Sequence, residues 1–136
     1  YALRLMIDIA TRPSGLAVPL KDVATRQNIS IKYLEQIVSR LCRAGLLESV
    51  RGPQGGYLLT RRPEEYTVGM ILRLTEGSMA PVDCVDEELG HCPKMTECAT
   101  SVVWKRLNDA ISDVIDNITL QDLVDWQIVK NGEYYI

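Results

Sequence analysis

Ser30-Ile-Lys-Tyr-Leu-Glu-Gln-Ile-Val-Ser-Arg-Leu-Cys-Arg-Ala-Gly45 runs directly into Leu46-Leu-Glu-Ser-Val-Arg-Gly-Pro-Gln-Gly-Gly-Tyr-Leu-Leu-Thr60. Ser30 suits a helix N-cap, and Ile31, Leu34, Ile37, Val38 and Leu41 recur at helical spacing. Gly45 suits the residue that ends a helix in a left-handed conformation, so the spacing predicts a helix from Ile31 to about Ala44. Its other face carries Lys32, Glu35, Gln36, Ser39, Arg40 and Arg43. Amides, a carboxylate and cations on one face can reach base edges and phosphates in a major groove. Any surface helix also shows a polar face, so the helix alone decides nothing. The next segment does. Leu46–Val50 and Tyr57–Thr60 are β-like runs, and the loop between them holds Arg51, Pro53, Gln54 and three glycines. A plain hairpin turn needs only one or two such residues. A helix followed at once by a basic, glycine-rich hairpin predicts a winged helix-turn-helix.

The 136 residues suit one compact domain, or a small domain with an oligomerisation arm. There is no Phe, so the core is expected to be aliphatic. No apolar run approaches the ~20 residues of a membrane span, and no secretion signal is visible. A cytosolic protein is the default expectation. The chain begins at Tyr1 rather than Met, so the natural N-terminus is expected to extend further. The net charge of −3 conceals a split. Residues 1–62 carry ten Lys or Arg against four Asp or Glu, whereas residues 63–136 carry five against fourteen. Local basicity inside an acidic whole suits a nucleic-acid binder, because the field that steers association is local. Chance segregation of solvated charges is the competing explanation.

Outside that stretch, Leu3, Met6, Ile7 and Ala10 predict a first helix over Tyr1–Thr11, and a second is predicted over Lys21–Gln27. Only Asn28-Ile-Ser30 separates the second helix from the third, the short connection a helix-turn-helix requires. A helix over Val68–Glu76 is expected to start at Thr67 and stop at Gly77. Residues 78–96 lack regular periodicity, which in so small a chain marks a functional or disordered segment. Val103, Leu107, Ala110, Ile111, Val114, Ile115 and Ile118 then form a narrow apolar stripe three and four residues apart. Its length suits packing against a second copy of the chain. Thr119 and Asp122 read as the cap of a last helix reaching about Val129.

The expected fold is therefore mainly α with a small β-wing: a winged helix-turn-helix plus a long C-terminal dimerisation helix. It divides into a DNA-binding domain over 1–77, a cysteine-bearing loop over 78–98, and the dimerisation and last helices over 99–136. A dimer of winged helices faces a roughly palindromic operator in double-stranded DNA. Lys32, Arg40 and Arg43 would chiefly meet phosphates, and Glu35 and Gln36 would read bases. Arg51 suits a narrowed minor groove. Tyr33, Gly52 and Gln54 complete the expected contact set. Cys42 reads as a small buried hydrophobe. Cys84, Cys92 and Cys98 lie within fifteen residues, and in a cytosolic chain such a group favours metal or redox chemistry over disulfides. By themselves three thiols leave iron–sulfur, zinc and redox-switch readings open. An enzyme has little support: there is one His, no nucleophile–base pair with an orienting partner, and no phosphate-cradling loop before a helix.

Tyr33-Leu-Glu-Gln36, Arg51-Gly-Pro-Gln-Gly-Gly-Tyr57, the cysteines of 84–98 and Asp116-Asn-Ile-Thr-Leu-Gln-Asp-Leu123 together resemble the IscR/NsrR/CymR type of bacterial winged-helix regulators, over nearly the whole chain. The resemblance implies a homodimeric transcription regulator. In its iron–sulfur branch, three cysteines before the long helix hold a cluster whose presence tunes DNA affinity. That implies Cys84, Cys92 and Cys98 as ligands, 2Fe–2S ahead of 4Fe–4S, with the cluster easily lost from an aerobically prepared sample. Two departures stand out. The spacing is Cys84-x7-Cys92-x5-Cys98 where the family places five residues in each gap, and the His that some members place three residues after the last Cys is Ser101 here. His91, beside Cys92, is a candidate fourth ligand, as is a residue from the partner subunit. The C-terminus, Gly132-Glu-Tyr-Tyr-Ile136, is similar to that of the cysteine-metabolism repressors of the same family. This keeps a cluster-free regulator in play, one responding through thiol oxidation or a cysteine-metabolism enzyme as partner. A zinc-stapled interaction module without DNA binding is the reading of a different class.

Overall fold

A computed structural model describes residues 1–90, 93, 94 and 96–132, and within them the periodic segments form six α-helices and one hairpin. The order is α1 (Ala2–Thr11), α2 (Leu20–Gln27), α3 (Ile31–Arg43), β1 (Leu47–Val50), β2 (Gly56–Leu59), α4 (Val68–Glu76), α5 (Thr100–Ile115) and α6 (Leu120–Lys130). α2 ends at Asn28, whose left-handed backbone (φ 53°) turns the chain into α3. Ser30 occupies the N-cap of α3 but its side chain makes no capping hydrogen bond, contrary to expectation. The C-terminal signal holds. The Gly45 N–H bonds to the Cys42 carbonyl and the Leu46 N–H to the Leu41 carbonyl, the paired bonds of a Schellman stop. Thr67 caps α4 by accepting from the Met70 N–H, and Thr119 and Asp122 cap α6 reciprocally.

The hairpin pairs Leu47 with Leu59 and Val50 with Gly56, so the turn is Arg51–Gly55, one residue shorter than the sequence suggested. A contact with no local signature seats it on the body. Val18, in the α1–α2 connection, exchanges both backbone hydrogen bonds with Tyr57, at 3.0 and 2.9 Å. This close approach requires Gly56, where a Cβ would lie 2.3 Å from the Val18 carbonyl.

Leu5, Met6, Val23, Leu34, Leu41, Ile71 and Leu120 are fully buried in one aliphatic core, each worth about 1.5–3 kcal/mol of burial. Tyr66 is the aromatic among them. α1 packs against α2, α4 and α6, and α3 against α2 and α4. α5 departs from this mass. Its main contacts among the described residues are with α4 and a 3-10 turn at Asp83–Val85, and Val102, Val103, Leu107 and Val114 stay exposed along it. The helix stops at Ile115, so Ile118 belongs to the following turn, where its carbonyl accepts from Val68, and not to the helical stripe.

One carboxylate is sunk into the basic half. Asp8 of α1 is 2% exposed and receives Arg26 Nη2 at 2.7 Å, Arg26 Nε at 3.1 Å and Gln27 Nε2 at 2.9 Å from α2. Burial pushes the Asp8 carboxyl up. The hydrogen bonds from Arg26 and Gln27, with the charges of Arg26 and Arg12, outweigh this and hold it below the ordinary carboxylate value.

Arg26→Ala is expected to cost about 2–3 kcal/mol at neutral pH, since it strands a buried carboxylate. Asp8→Asn, which removes the charge and keeps the shape, is expected to cost less. The stability that Asp8 contributes is present above the ordinary carboxylate pKa and is lost as pH falls through its depressed folded value. Without Arg26 the opposing burial prevails and the folded value rises. The gap between Arg26→Ala and wild type should therefore narrow on acidification from about pH 7 to about pH 4. Urea melts at the two pH values check this.

Candidate nucleic-acid interface and cysteine loop

α3 turns Leu34, Ile37, Val38 and Leu41 into the core, which leaves the intervening positions no choice but to face outward. Lys32, Glu35, Gln36, Ser39, Arg40 and Arg43 line a shallow open depression on that outer face. Among the described residues, no hydrogen bond or ion pair occupies the side chains of Lys32, Glu35 or Gln36, so their polar ends are available to a ligand. The two arginines differ. Arg40 Nη1 donates to the Thr75 carbonyl at 2.8 Å, tying α3 to the last turn of α4, and Arg43 Nη2 donates to Ser39 Oγ at 2.9 Å. Arg40 is thus a tether between helices as well as a surface cation, a role the helical pattern does not reveal. A guanidinium has five N–H donors, so the tether leaves donors for a phosphate.

Tyr33 sits at the start of this face, edge-on to the Tyr1 ring with centroids 5.4 Å apart. The Arg4 guanidinium lies over Tyr1 at 5.6 Å and also bonds Gln27 through its side-chain and main-chain oxygens. The first turn of the chain therefore borders the outer face of α3. No motif marked Tyr1 or Arg4; only the cation excess of residues 1–62 hinted at them. In the wing, Arg51, Gly52, Pro53 and Gln54 are exposed, and the Gly55 N–H closes the turn on the Gly52 carbonyl at 2.9 Å. Arg51 and Gln54 likewise have no hydrogen-bond or ion-pair partner among the described residues. The set is thus divided between an outward helix face and an outward basic loop.

The cysteines divide. Cys42 is half-buried and burial pushes its thiol up, as expected of a packing residue. Cys84 is half-buried in the 3-10 turn that docks on α5, where Asn108 Nδ2 lies 3.5 Å from the Val85 carbonyl. Cys98 is exposed just ahead of α5, its sulfur 3.0 Å from Thr100 Oγ1. The hydrogen bond from Thr100, then the backbone N–H of Ser101, draws its thiol below the ordinary value. Ser101 is buried with its hydroxyl on the Cys98 carbonyl at 2.6 Å, so it braces the loop. His91 and Cys92 lie outside the described residues. Among the described residues no group of three His, Cys, Asp or Glu lies close enough to hold a metal ion. Cys84 and Cys98 hang from separate supports, one docked against α5 and one at its start. Both are free thiols, and cysteine sulfur is the donor an iron–sulfur cluster takes, so their chemistry fits that group.

No described helix is long and apolar enough to cross a membrane. Residues 1–126 match the model of the Rrf2 family, described as an iron-dependent transcriptional regulator. The chain is 42% identical over 131 residues to the HTH-type transcriptional regulator IscR of Pectobacterium atrosepticum, covering 96% of this chain and 79% of that protein. Among solved structures, CymR, the global cysteine regulator of B. subtilis, superposes with a TM-score of 0.75 at 38% identity, over 93% of this chain and 92% of that one. IscR of T. potens superposes with a TM-score of 0.74 at 33% identity, over 100% of this chain and 88% of that one. The mainly helical fold with its two-stranded wing is the fold of these regulators, and the relatives are not enzymes. The chain belongs to the Rrf2 family of winged-helix, DNA-binding transcription regulators.

Proposed function

We propose that the protein is a homodimeric, cytoplasmic regulator that reads a near-palindromic operator with α3 and the Arg51–Gly55 wing. One observation carries this. Lys32, Glu35 and Gln36 on the helix and Arg51 and Gln54 on the wing, in the half of the chain that holds the cation excess, are exposed, polar and without hydrogen-bond or ion-pair partners among the described residues. Lys32, Arg40 and Arg43 anchor phosphates, Glu35 and Gln36 meet base edges, and Arg51 with Gly52 and Gln54 enters the minor groove, with Tyr33 at the edge of the contact. Residues 1–77 act as the DNA-binding domain, 78–98 as the sensing loop and 99–136 as the dimerisation arm. Val103, Leu107 and Val114, exposed on one face of α5, support the last assignment, because apolar groups aligned on one narrow helix face otherwise stay in water.

The sensing loop holds an iron–sulfur cluster through Cys84, Cys92 and Cys98, with 2Fe–2S favoured and His91 a candidate fourth ligand. The free thiols at Cys84 and Cys98 and the lowered thiol of Cys98 support this, together with the likeness to IscR. When bound, such a cluster supplies a redox-sensitive group that orders the loop. A second reading is favoured by the likeness to CymR, a cysteine regulator: the same low thiol of Cys98 senses oxidation directly, or a cysteine-metabolism enzyme binds as partner. A zinc-stapled module without DNA binding loses its ground, since the family is one of DNA-binding regulators.

Arg51→Ala is expected to weaken specific DNA binding by about 1–3 kcal/mol. Lys32→Ala should weaken all sequences alike and flatten the salt dependence. Fluorescence anisotropy against a selected and a scrambled duplex at several salt concentrations separates the two effects, and an unchanged affinity for Arg51→Ala removes the wing from the contact.

For the dimer, Val114→Asp is the informative change, because an aspartate at this exposed position is harmless in an isolated chain and costly in an interface. Light scattering should find wild type dimeric and the variant monomeric, with a cooperative melt retained at a somewhat lower temperature because association itself stabilises the fold. A monomeric wild type at micromolar concentration removes the dimerisation role of α5.

Protein purified without oxygen is expected to be coloured, with iron and sulfide bound. Changing Cys84, Cys92 or Cys98 to Ala should bleach it, whereas Cys42→Ala should keep the colour. An ultraviolet–visible spectrum with metal analysis decides. Zinc alone overturns the cluster, and no metal with reversible thiol oxidation favours direct thiol sensing.

A further inference from the structure

α4 is joined to the α5–α6 region at two places. At its start the joint is backbone: the Val68 N–H donates to the Ile118 carbonyl and the Leu120 N–H to the Tyr66 carbonyl, both at 2.9 Å. This fixes where the α5–α6 turn sits, but a joint at one end leaves α5 able to pivot about it. The second joint is made by side chains. Arg73 Nη1 lies 2.5 Å from Asp116 Oδ1 and Nη2 lies 3.0 Å from Asp116 Oδ2, with Nη2 also 3.4 Å from Ser112 Oγ. Two parallel bonds between planar groups set an orientation as well as a distance. Two residues further along, the Thr75 carbonyl takes the Arg40 guanidinium of α3. The same turn of α4 therefore reaches α5 with one arginine and is reached from the recognition helix by another.

The side chains of Arg73 and Asp116 are 41% and 42% exposed, and pairs in that setting add little to folding stability. The fold nevertheless makes room for this one. Gly69 is buried one turn before Arg73, and a Cβ there would lie 2.1 Å from Asp116 Oδ1 and 2.7 Å from Arg73 Nη1. A glycine within a helix gives up helix propensity, and here the space of its missing side chain is filled by the ion pair. The cysteine loop leaves α4 directly after this turn. Ser78, Asp86, Glu87, Glu88 and Asn108 line the cleft in which Arg73 and Asp116 also lie.

We propose that Arg73 and Asp116 are positioning residues for operator binding: the pair locks the angle of α5 against α4 and so fixes the spacing of the two recognition helices in the dimer. The inference rests on the dimeric winged-helix reading above. A two-fold dimer built on α5 carries each recognition helix on an arm whose elbow is the α4–α5 joint. A small rotation at the elbow becomes a change in the separation of two half-sites, which DNA geometry tolerates poorly. A loop ending on both sides of the elbow is placed to alter that angle when it orders.

The test uses full-length chain and duplexes that the wild-type protein selects from a random library, plus versions with the half-sites one base pair closer or further apart, and a single half-site. Arg73→Gln and Asp116→Asn are expected to keep the wild-type melting temperature and half-site affinity. They should lose about tenfold on the selected full site and blur the preference among spacings. The double variant should lose no more than either single change. Gly69→Ala keeps both charges and favours the helix, but its methyl displaces the end of the Asp116 side chain. It should reproduce the loss without lowering stability, which covers the case that a charge variant folds poorly. Wild-type affinity and spacing preference in all three variants overturns the positioning role alone. A wild-type chain that selects no duplex, or ignores half-site spacing, overturns the dimeric reading and the proposal with it.

Discussion

The Tyr66 hydroxyl holds the structure's parts in one frame. It donates to the Leu46 carbonyl at 2.8 Å and accepts from the N–H groups of Thr60 and Arg61 at 3.0 and 3.2 Å. The start of β1 and the exit of β2 are thereby closed on a single buried atom. From the same residue, the backbone carbonyl accepts the Leu120 N–H and so carries the start of α6. A phenol in an aliphatic core is tolerated only when its hydroxyl is satisfied, and here three backbone groups that no strand or helix serves satisfy it. The wing, the end of α3 (whose closing bond is made by the Leu46 N–H) and the C-terminal arm are all referenced to this point.

Around that anchor, rigidity and availability are kept apart. The groups that hold elements together are partnered and buried: Asp8 with Arg26 and Gln27, Tyr66 with the hairpin, Val18 with Tyr57. Lys32, Glu35, Gln36, Arg51 and Gln54, by contrast, have no hydrogen-bond or ion-pair partner among the described residues, while Arg40 and Arg43 each spend one donor inside the protein. A preorganised surface of this kind loses little order on binding, which leaves more of each contact to affinity. The cation excess of residues 1–62 adds a local field that favours a polyanion at these groups.

The cysteine loop lies between α4 and α5 and belongs to neither core. Cys84 is docked against α5 through the 3-10 turn, while Cys98 stands free at its start with a thiol drawn toward thiolate. The loop has its two ends on the two helices that the Arg73–Asp116 pair joins, apart from the exposed face of α3.

What the sequence determined alone was everything with a short period or a local stop signal. Leu34, Ile37, Val38 and Leu41 are one helical face, so Lys32, Glu35, Gln36 and Arg43 had to be on the other. Thr67 with Gly77, Gly45, and Thr119 with Asp122 mark their termini because the bonds involved join residues only a few positions apart. Ser30 shows the limit of such signals, since it sits at the cap without making the bond. Tertiary structure decided the rest. Asp8 and Arg26 are 18 residues apart, Arg40 and Thr75 are 35 apart, and Arg73 and Asp116 are 43 apart. No period connects such pairs: each exists because packing of the aliphatic core brings two helices to a fixed distance. The helix pattern could show that Arg40 faces outward, but only the core's packing decides that its outward path ends on the Thr75 carbonyl.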